Sequence, residues 1–268
     1  MRIAIDVHLD YAFPEPSDVL LQIEAAALPD QRIEHESLII YSDHPIAATV
    51  GEDGVGQRCW AHAEGRLVAD YHAVVAITRP TIVLDRLPLT PVRALAGDLI
   101  RYLLPSRYCE SDRFEHFVRT TFAGLTGGAL AAALTDWVRT SLTYRSGTSA
   151  GRTGALDTFA ERRGVCRDYA HLLVALARAG EIPARCVSAY APGVDPPDFH
   201  AVAELWLDGG WHLVDPTGMA SCADLARVAV GLDATDIAFM TIFGTADLVA
   251  QTVVVRALGA EQPPGSDR

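Results

Sequence analysis

Three residues, tens of positions apart, are of the types and in the places that thiol chemistry needs. In Gly164-Val165-Cys166-Arg167-Asp168 a cysteine falls at the first turn of Cys166–Ala179, an Ala/Leu-rich run without Gly or Pro. That run reads as a buried helix stopped by Gly180. Unpaired backbone N–H groups and the positive end of the helix dipole favour an anion there, and thiolate is the nucleophilic form of cysteine. Gly164 lets the chain turn sharply just before it. His200 opens a strand after a proline-rich loop, and Asp215 closes the next strand before Pro216. The turn Asp208-Gly209-Gly210 joins these strands as a hairpin and brings their far ends side by side. An imidazole so placed can take the thiol proton, while the carboxylate fixes its tautomer and stabilises the imidazolium.

A nucleophile on a helix with its histidine and aspartate on following strands is a papain-type plan. The Cys166 backbone N–H can supply one oxyanion donor, and no glutamine lies between Arg58 and Cys166 to supply a second. Tyr144, and after it Trp137, are the candidates. Asparagine at 215 could still hold the imidazole, so Asp215→Asn is expected to be the mildest change in the triad. Other reactive side chains read as structural. His171 is five positions beyond Cys166 and rotated well away from it on a helix, which makes it a core or domain-contact residue. Asp168 suits a helix cap or dipole partner. Cys59, Cys109, Cys186 and Cys222 have no spaced partner, and Trp206 and Trp211 suit packing across the hairpin. Cys166, His171 and His200 are the residues that could meet around zinc. With no Cys-x-x-Cys or His-Glu-x-x-His pattern, neither a metal nor another cofactor is expected.

The elements that must position these residues change character along the chain. In Arg2–Tyr11 apolar and polar residues alternate with a period of two, which predicts a half-buried strand ended by Pro14 and Pro16. Apolar runs at 19–23 and 37–41 follow. Gln57–His62 and Leu67–Thr78 then flank Glu64-Gly65-Arg66 as a hairpin. From Thr90-Pro91 the period becomes helical up to Pro105. Further helices are expected from Ser111-Asp112 through Val118, over Ala129–Leu142 and near Ala155–Arg162, ahead of the cysteine helix. Strands are expected at Ala184–Tyr190, His200–Leu207 and Trp211–Val214. The fold class is α+β: an N-terminal antiparallel β-sandwich-like domain (1–85), a papain-like domain with its cysteine helix against an antiparallel sheet (86–258), and a disordered tail (259–268).

The 268 residues are 50% hydrophobic and 21% charged, ordinary for a globular chain with a sizeable core. The 34 acidic and 22 basic residues leave a net charge of -12, which speaks against a nucleic-acid partner. Asp6 and Asp10 interrupt the N-terminal apolar stretch, so no signal, anchor or membrane partner is expected. Five irregularly spaced cysteines suit a reducing cytoplasm rather than a disulfide scaffold.

GVCRDYAHLLVALARAGEIPARCVSAY and DFHAVAELWLDGGWHLVDPTG together resemble the transglutaminase-like superfamily, specifically bacterial members named as cysteine proteases. The resemblance extends to YLLPSRYCESD, Tyr144 and the β-rich N-terminus, and so covers nearly the whole chain. It implies Cys166 as nucleophile, His200 as general base and Asp215 as orienting acid, in a transglutaminase-like catalytic domain. The implied function is attack on an amide or peptide bond of a peptide or protein substrate through a thioester, with hydrolysis favoured over transamidation. The alternative is a catalytically idle relative whose cleft binds peptides or serves as a scaffold, and homo-oligomerisation stays open. Two positions depart from the family pattern. Val202 replaces a tryptophan two residues after the histidine, which is expected to leave His200 less shielded. Leu232 replaces an arginine in a Val-Gly-Arg-Asp-Ala stretch, which removes a base from the cleft.

Overall fold

A computed structural model describes residues 1–42 and 44–259; the expected disordered tail, apart from Gly259, lies outside the described residues. The first four strands are β1 (Arg2–Leu21), β2 (Gln31–Tyr41), β3 (Ala47–Val50) and β4 (Gln57–Ile77). Two of them overrun the expected stops. Pro14 and Pro16 do not end β1. Its register with β4 runs from Arg2↔Ala76 to Phe13↔Gly65, breaks, and resumes from Ser17↔Ala63 to Leu21↔Cys59. Both prolines fall in that break, where the ladder asks no N–H of them. Glu64-Gly65-Arg66 is likewise no hairpin. It is where β4 bends opposite the break, and Gly65 adopts a φ of +73° that side chains disfavour.

The helix expected after Thr90 is absent. Residues 84–103 instead make 3₁₀ turns at Leu84–Arg86, Val92–Ala94 and Gly97–Leu103. Gly97 interrupts the apolar period, and the tighter turn after it still buries Leu99 and Tyr102. A 3₁₀ turn at Ser111–Arg113 leads into α1 (Glu115–Thr121), which starts later than expected. Then come α2 (Gly127–Ser141), β5 (Thr143–Tyr144), α3 (Ala155–Glu161), β6 (Arg163–Gly164) and α4 (Cys166–Ala179). The strands β7 (Ala184–Tyr190), β8 (His200–Leu207) and β9 (Gly210–Val214) lie where the sequence sets them. Four elements close the chain: β10 (Ala226–Gly231), α5 (Ala234–Ile237), β11 (Met240–Phe243) and β12 (Asp247–Leu258). Among the described residues, no helix is long and apolar enough to cross a membrane.

Two antiparallel sheets carry this α+β fold. The four-stranded one has the order β10-β7-β8-β9. Against it packs α4, buried from Asp168 to Arg178 and flanked by α2 and α3. The six-stranded N-terminal sheet is completed from the far end of the chain: β12 pairs with β1 along Arg2–Ala12 and β11 pairs with it along Asp18–Leu21. Residues 240–258, expected with the segment 86–258, thus lie on the sheet begun by residues 1–85. Their pairing satisfies an edge that β1 would otherwise leave bare.

The sheets share one apolar core and a polar seam. The Tyr190 hydroxyl donates to the Ile23 carbonyl at 2.6 Å, and the Ala25 N–H donates to the Tyr71 hydroxyl at 2.8 Å. An alternating ion chain continues the seam. Asp53 pairs with Arg185, Arg185 with Glu204, Glu204 with Arg227, Arg227 with Asp30, and Asp30 with Arg79. Glu204 is fully buried between two guanidinium groups. Replacing it with glutamine leaves both arginines facing a neutral amide, and breaking a buried pair in this way costs about 3–5 kcal/mol. Glu204→Gln should therefore lower the urea midpoint strongly at an unchanged slope; a loss below about 1 kcal/mol, the worth of a surface pair, would mean that the chain is not a structural tie.

Candidate active site

The first turn of α4 is built without a capping side chain at Val165, whose backbone is extended (φ -109°, ψ 179°). The Asp168 carboxylate folds back instead. It accepts the Val165 N–H at 2.8 Å through Oδ2 and the Ser149 hydroxyl at 2.8 Å through Oδ1, the capping role its position suggests. Gly164 makes room for it, since a Cβ there would lie 2.6 Å from the Asp168 Cβ. Cys166 follows, half-buried at the helix N-terminus, with its thiol directed at the Phe199 carbonyl 4.0 Å away.

The β8–β9 hairpin turns through Asp208 and Gly209, with φ of 49° and 73°. Its register pairs Ala203 with Val214, so Asp215 continues opposite Val202 and reaches diagonally to His200. His200 Nε2 lies 3.0 Å from Asp215 Oδ2. The other ring nitrogen, Nδ1, is buried with no hydrogen-bond partner among the described residues, which leaves it available to Cys166. Asp215 is held in turn. Its Oδ1 accepts from the Thr217 N–H (2.9 Å) and hydroxyl (2.7 Å), while Oδ2 also accepts the Ala220 N–H (2.9 Å). The clamp is legible in Asp215-Pro216-Thr217-Gly218, an Asx-turn sequence, though the sequence reading assigns Thr217 and Ala220 no part in it.

Electrostatics follow from these contacts. Burial alone would lower the His200 pKa, but the Asp215 hydrogen bond, the Asp215 charge and the nearby Cys166 sulfur outweigh it and hold the imidazole at about 9. Burial likewise opposes ionisation of Asp215, and His200, Thr217 and Ala220 together bring its pKa below the usual carboxylate value. Val202 does not leave His200 open, since the imidazole residue is only 1% exposed.

Tyr144 is brought beside the cysteine by a short parallel pairing with Gly164. Burial and the nearby Cys166 sulfur push its pKa up to about 12. Trp137 lies elsewhere, packed on Phe117 and Phe159 with Arg162 over its ring. His171 is a core residue. It stacks on Tyr108, accepts the Ala234 N–H at 3.0 Å through Nε2, and is held neutral by burial at a pKa of about 3. His171 does not join Cys166 and His200, the three residues that could have met around zinc; it lies instead in a buried group with Cys109 and Cys186. Burial and the neighbouring Cys109 thiol hold the Cys186 thiol well above its ordinary pKa, and neutral thiols around an imidazole already engaged by Ala234 suit a packed core better than a metal. A second group, His44, His62 and Glu64, lies on the N-terminal sheet.

A cleft of about 460 Å³ opens over Cys166 and His200. Phe199, Ile237, Phe239 and Met240 contribute apolar wall, and Arg107 and Arg167 supply basic groups that sequence reasoning does not single out. Leu232 thus does not leave the cleft without a base. Its carbonyl instead accepts a 2.7 Å hydrogen bond from the buried Arg178.

The description "transglutaminase-like superfamily" fits residues 115–216 of the chain. A solved structure from Cytophaga hutchinsonii, named provisionally as a cysteine protease, is 33% identical with a TM-score of 0.90, over 98% of this chain and 93% of that one. An uncharacterised protein of Mycobacterium leprae is 36% identical over 115 residues, which are 40% of this chain and 41% of that protein. Another, from Mycobacterium tuberculosis, is 34% identical over 98 residues, or 31% of each chain. The chain spans well under half the length of these two curated relatives. It belongs to the transglutaminase-like superfamily.

The His200–Asp215 pair carries a pH signature. A histidine pKa raised from 6.5 to about 9 on folding contributes stability that is complete below about pH 6.5 and lost as pH rises through about 9. The lowered Asp215 pKa contributes stability present above about pH 4 and lost as pH falls through the folded value. The gap in melting temperature between wild type and His200→Ala should therefore be widest near pH 5–6 and narrow towards pH 9. A gap that stays constant across this range would show that the pair does not carry charge in the folded protein.

Proposed function

We propose that the protein is a cysteine-nucleophile enzyme that hydrolyses amide or peptide bonds through a thioester on Cys166. The observation that carries this reading is a half-buried thiol at a helix N-terminus, coupled to an imidazole whose far nitrogen is fixed by a buried carboxylate. Cys166 first gives its thiol proton to His200 Nδ1, and the resulting thiolate, paired with the imidazolium, attacks the substrate carbonyl carbon. The Cys166 N–H and the Tyr144 hydroxyl receive the oxyanion. Collapse breaks the C–N bond, and the leaving amine takes the proton from His200. Water then attacks the thioester, gives a proton to His200, and frees the carboxylic acid and the thiol. Hydrolysis is preferred to amine transfer because the full-length structural relative is named as a protease. The apolar wall and two arginines of the cleft suit a peptide or protein chain as substrate.

The test is incubation with peptide and glutamine-donor libraries, with new amino termini, released ammonia and isopeptide products measured together. New termini support the proposal; cross-linked product without hydrolysis would reassign it to amine transfer, and no turnover would favour an idle, peptide-binding cleft. Cys166→Ala should reduce turnover on the order of 10⁶-fold, with His200→Ala nearly as severe.

The surroundings of Asp215 revise the expectation of a mild Asp215→Asn. All four groups that meet its oxygens are donors in the triad state, and asparagine has one oxygen to offer. With its amide group towards His200 it donates to Nε2 and puts the ring proton on Nδ1, the side that must receive the thiol proton. Asp215→Asn should therefore cost on the order of 10³–10⁴-fold in turnover and also lower the melting temperature. Near-wild-type kcat in this variant would remove Asp215 from the mechanism.

A further inference from the structure

The outer face of the N-terminal sheet carries cross-strand aspartate–histidine pairs. Asp6 lies opposite His72, His8 opposite Asp70 and Asp18 opposite His62. Each is joined through the histidine Nδ1, at 2.8, 2.6 and 2.8 Å respectively. For the first two, cross-strand pairing accounts for the side-chain contacts between aspartate and histidine. At the third, two further donor groups converge.

His44, in the loop between β2 and β3, sets its Nε2 3.4 Å from Glu64 Oε1, and His62 Nε2 lies 3.7 Å from the same oxygen. The two imidazoles meet edge to face with centroids 4.8 Å apart. One ligand atom from each of the three residues lies within 4.8 Å of the others. Tetrahedral zinc with bonds of about 2.0–2.1 Å holds its ligand atoms about 3.3 Å apart, so this group needs only a small contraction to close on an ion. Asp18 engages His62 through Nδ1 and leaves Nε2 facing the cluster, the carboxylate–histidine arrangement that orients metal ligands. The loop is pinned in register: the His44 N–H donates to the Ser42 hydroxyl at 3.2 Å, and that hydroxyl donates to the His62 carbonyl at 3.1 Å. A cavity of about 410 Å³, bordered also by Tyr41 and Arg66, opens over the three side chains.

We propose that His44, His62 and Glu64 form a binding site for a divalent transition-metal ion of the zinc class. Two imidazoles and one carboxylate match the preference of zinc for nitrogen and oxygen donors. The fourth position faces the cavity, where water or an exogenous ligand completes the shell. The bound ion ties the β2–β3 loop to the bend of β4 and, through Asp18, to β1. This site shares no residue with the cleft at Cys166, so it stands whatever chemistry that cleft performs.

The test is calorimetric titration of chelator-treated full-length protein with zinc chloride, together with the absorption spectrum of the cobalt-substituted protein. The expected result is one equivalent of zinc bound with a cobalt spectrum free of thiolate charge transfer. His44→Ala and His62→Ala should each weaken binding by about 100-fold or more, and Asp18→Asn by about 10–100-fold. All three positions are on the outer face or the loop, so circular dichroism should confirm an intact fold in each variant. Three results would overturn the proposal: no saturable zinc binding, undiminished affinity in the His44→Ala/His62→Ala double variant, or a thiolate charge-transfer band that places the ion at a cysteine.

Discussion

Asp215 is the carboxylate on which the cleft depends. It is 8% exposed, so ionisation there needs compensation at every lone pair, and the chain supplies it from three directions. His200 arrives from the opposite end of the hairpin, Thr217 from the turn that follows, and Ala220 from beyond that turn. A shift of one residue between β8 and β9 would carry His200 to the other face of the sheet and leave the carboxylate with its turn contacts alone. The register of one short hairpin thus sets the charge state of the imidazole, and with it what Cys166 can do.

The remaining architecture holds α4 against that hairpin. Burial of α4 from Asp168 to Arg178 fixes its axis, and the Asp168 cap fixes where its first turn begins. Arg178 braces the far end by donating to the carbonyls of Leu104, Ala184 and Leu232. That last contact ties the helix to the segment leading into α5 and β11, which supplies the wall opposite the thiol. Since β11 is also a strand of the N-terminal sheet, that sheet helps to shape the cleft rather than merely accompanying it.

Most of the site was legible because its signals are local. The glycine before Cys166, the unbroken apolar run after it and the Asp-Gly-Gly turn each act within a few residues, and the elements from α2 to β9 follow them closely. The N-terminal sheet was harder to read. Proline at 14 and 16 and glycine at 65 are ordinary stop signals, and only their placement opposite one another turns two stops into one shared bend. Thr90-Pro91 announced a helix that Gly97 and the tight fit against α2 reduced to 3₁₀ turns. Gly128 shows that fit, since a Cβ there would meet the Leu84 carbonyl oxygen at 2.0 Å. Pairing of β1 with β12 leaves no local trace, because the partners are separated by nearly the whole chain.

That last pairing sets the order in which the molecule can be finished. The ribosome delivers β1 before β11 and β12, so β1, paired with β4 on one side, must wait with its other flank bare while the helices and the four-stranded sheet are made. Exposed flanks of this kind recruit other chains, and contacts so distant in sequence form late. The thiol helix and its histidine hairpin are complete about twenty-five residues before Met240 and the rest of the cleft wall exist. A nascent chain therefore carries the Cys166 sulfur in an open trough, and synthesis of the later strands both seals the sheet and walls in the cleft.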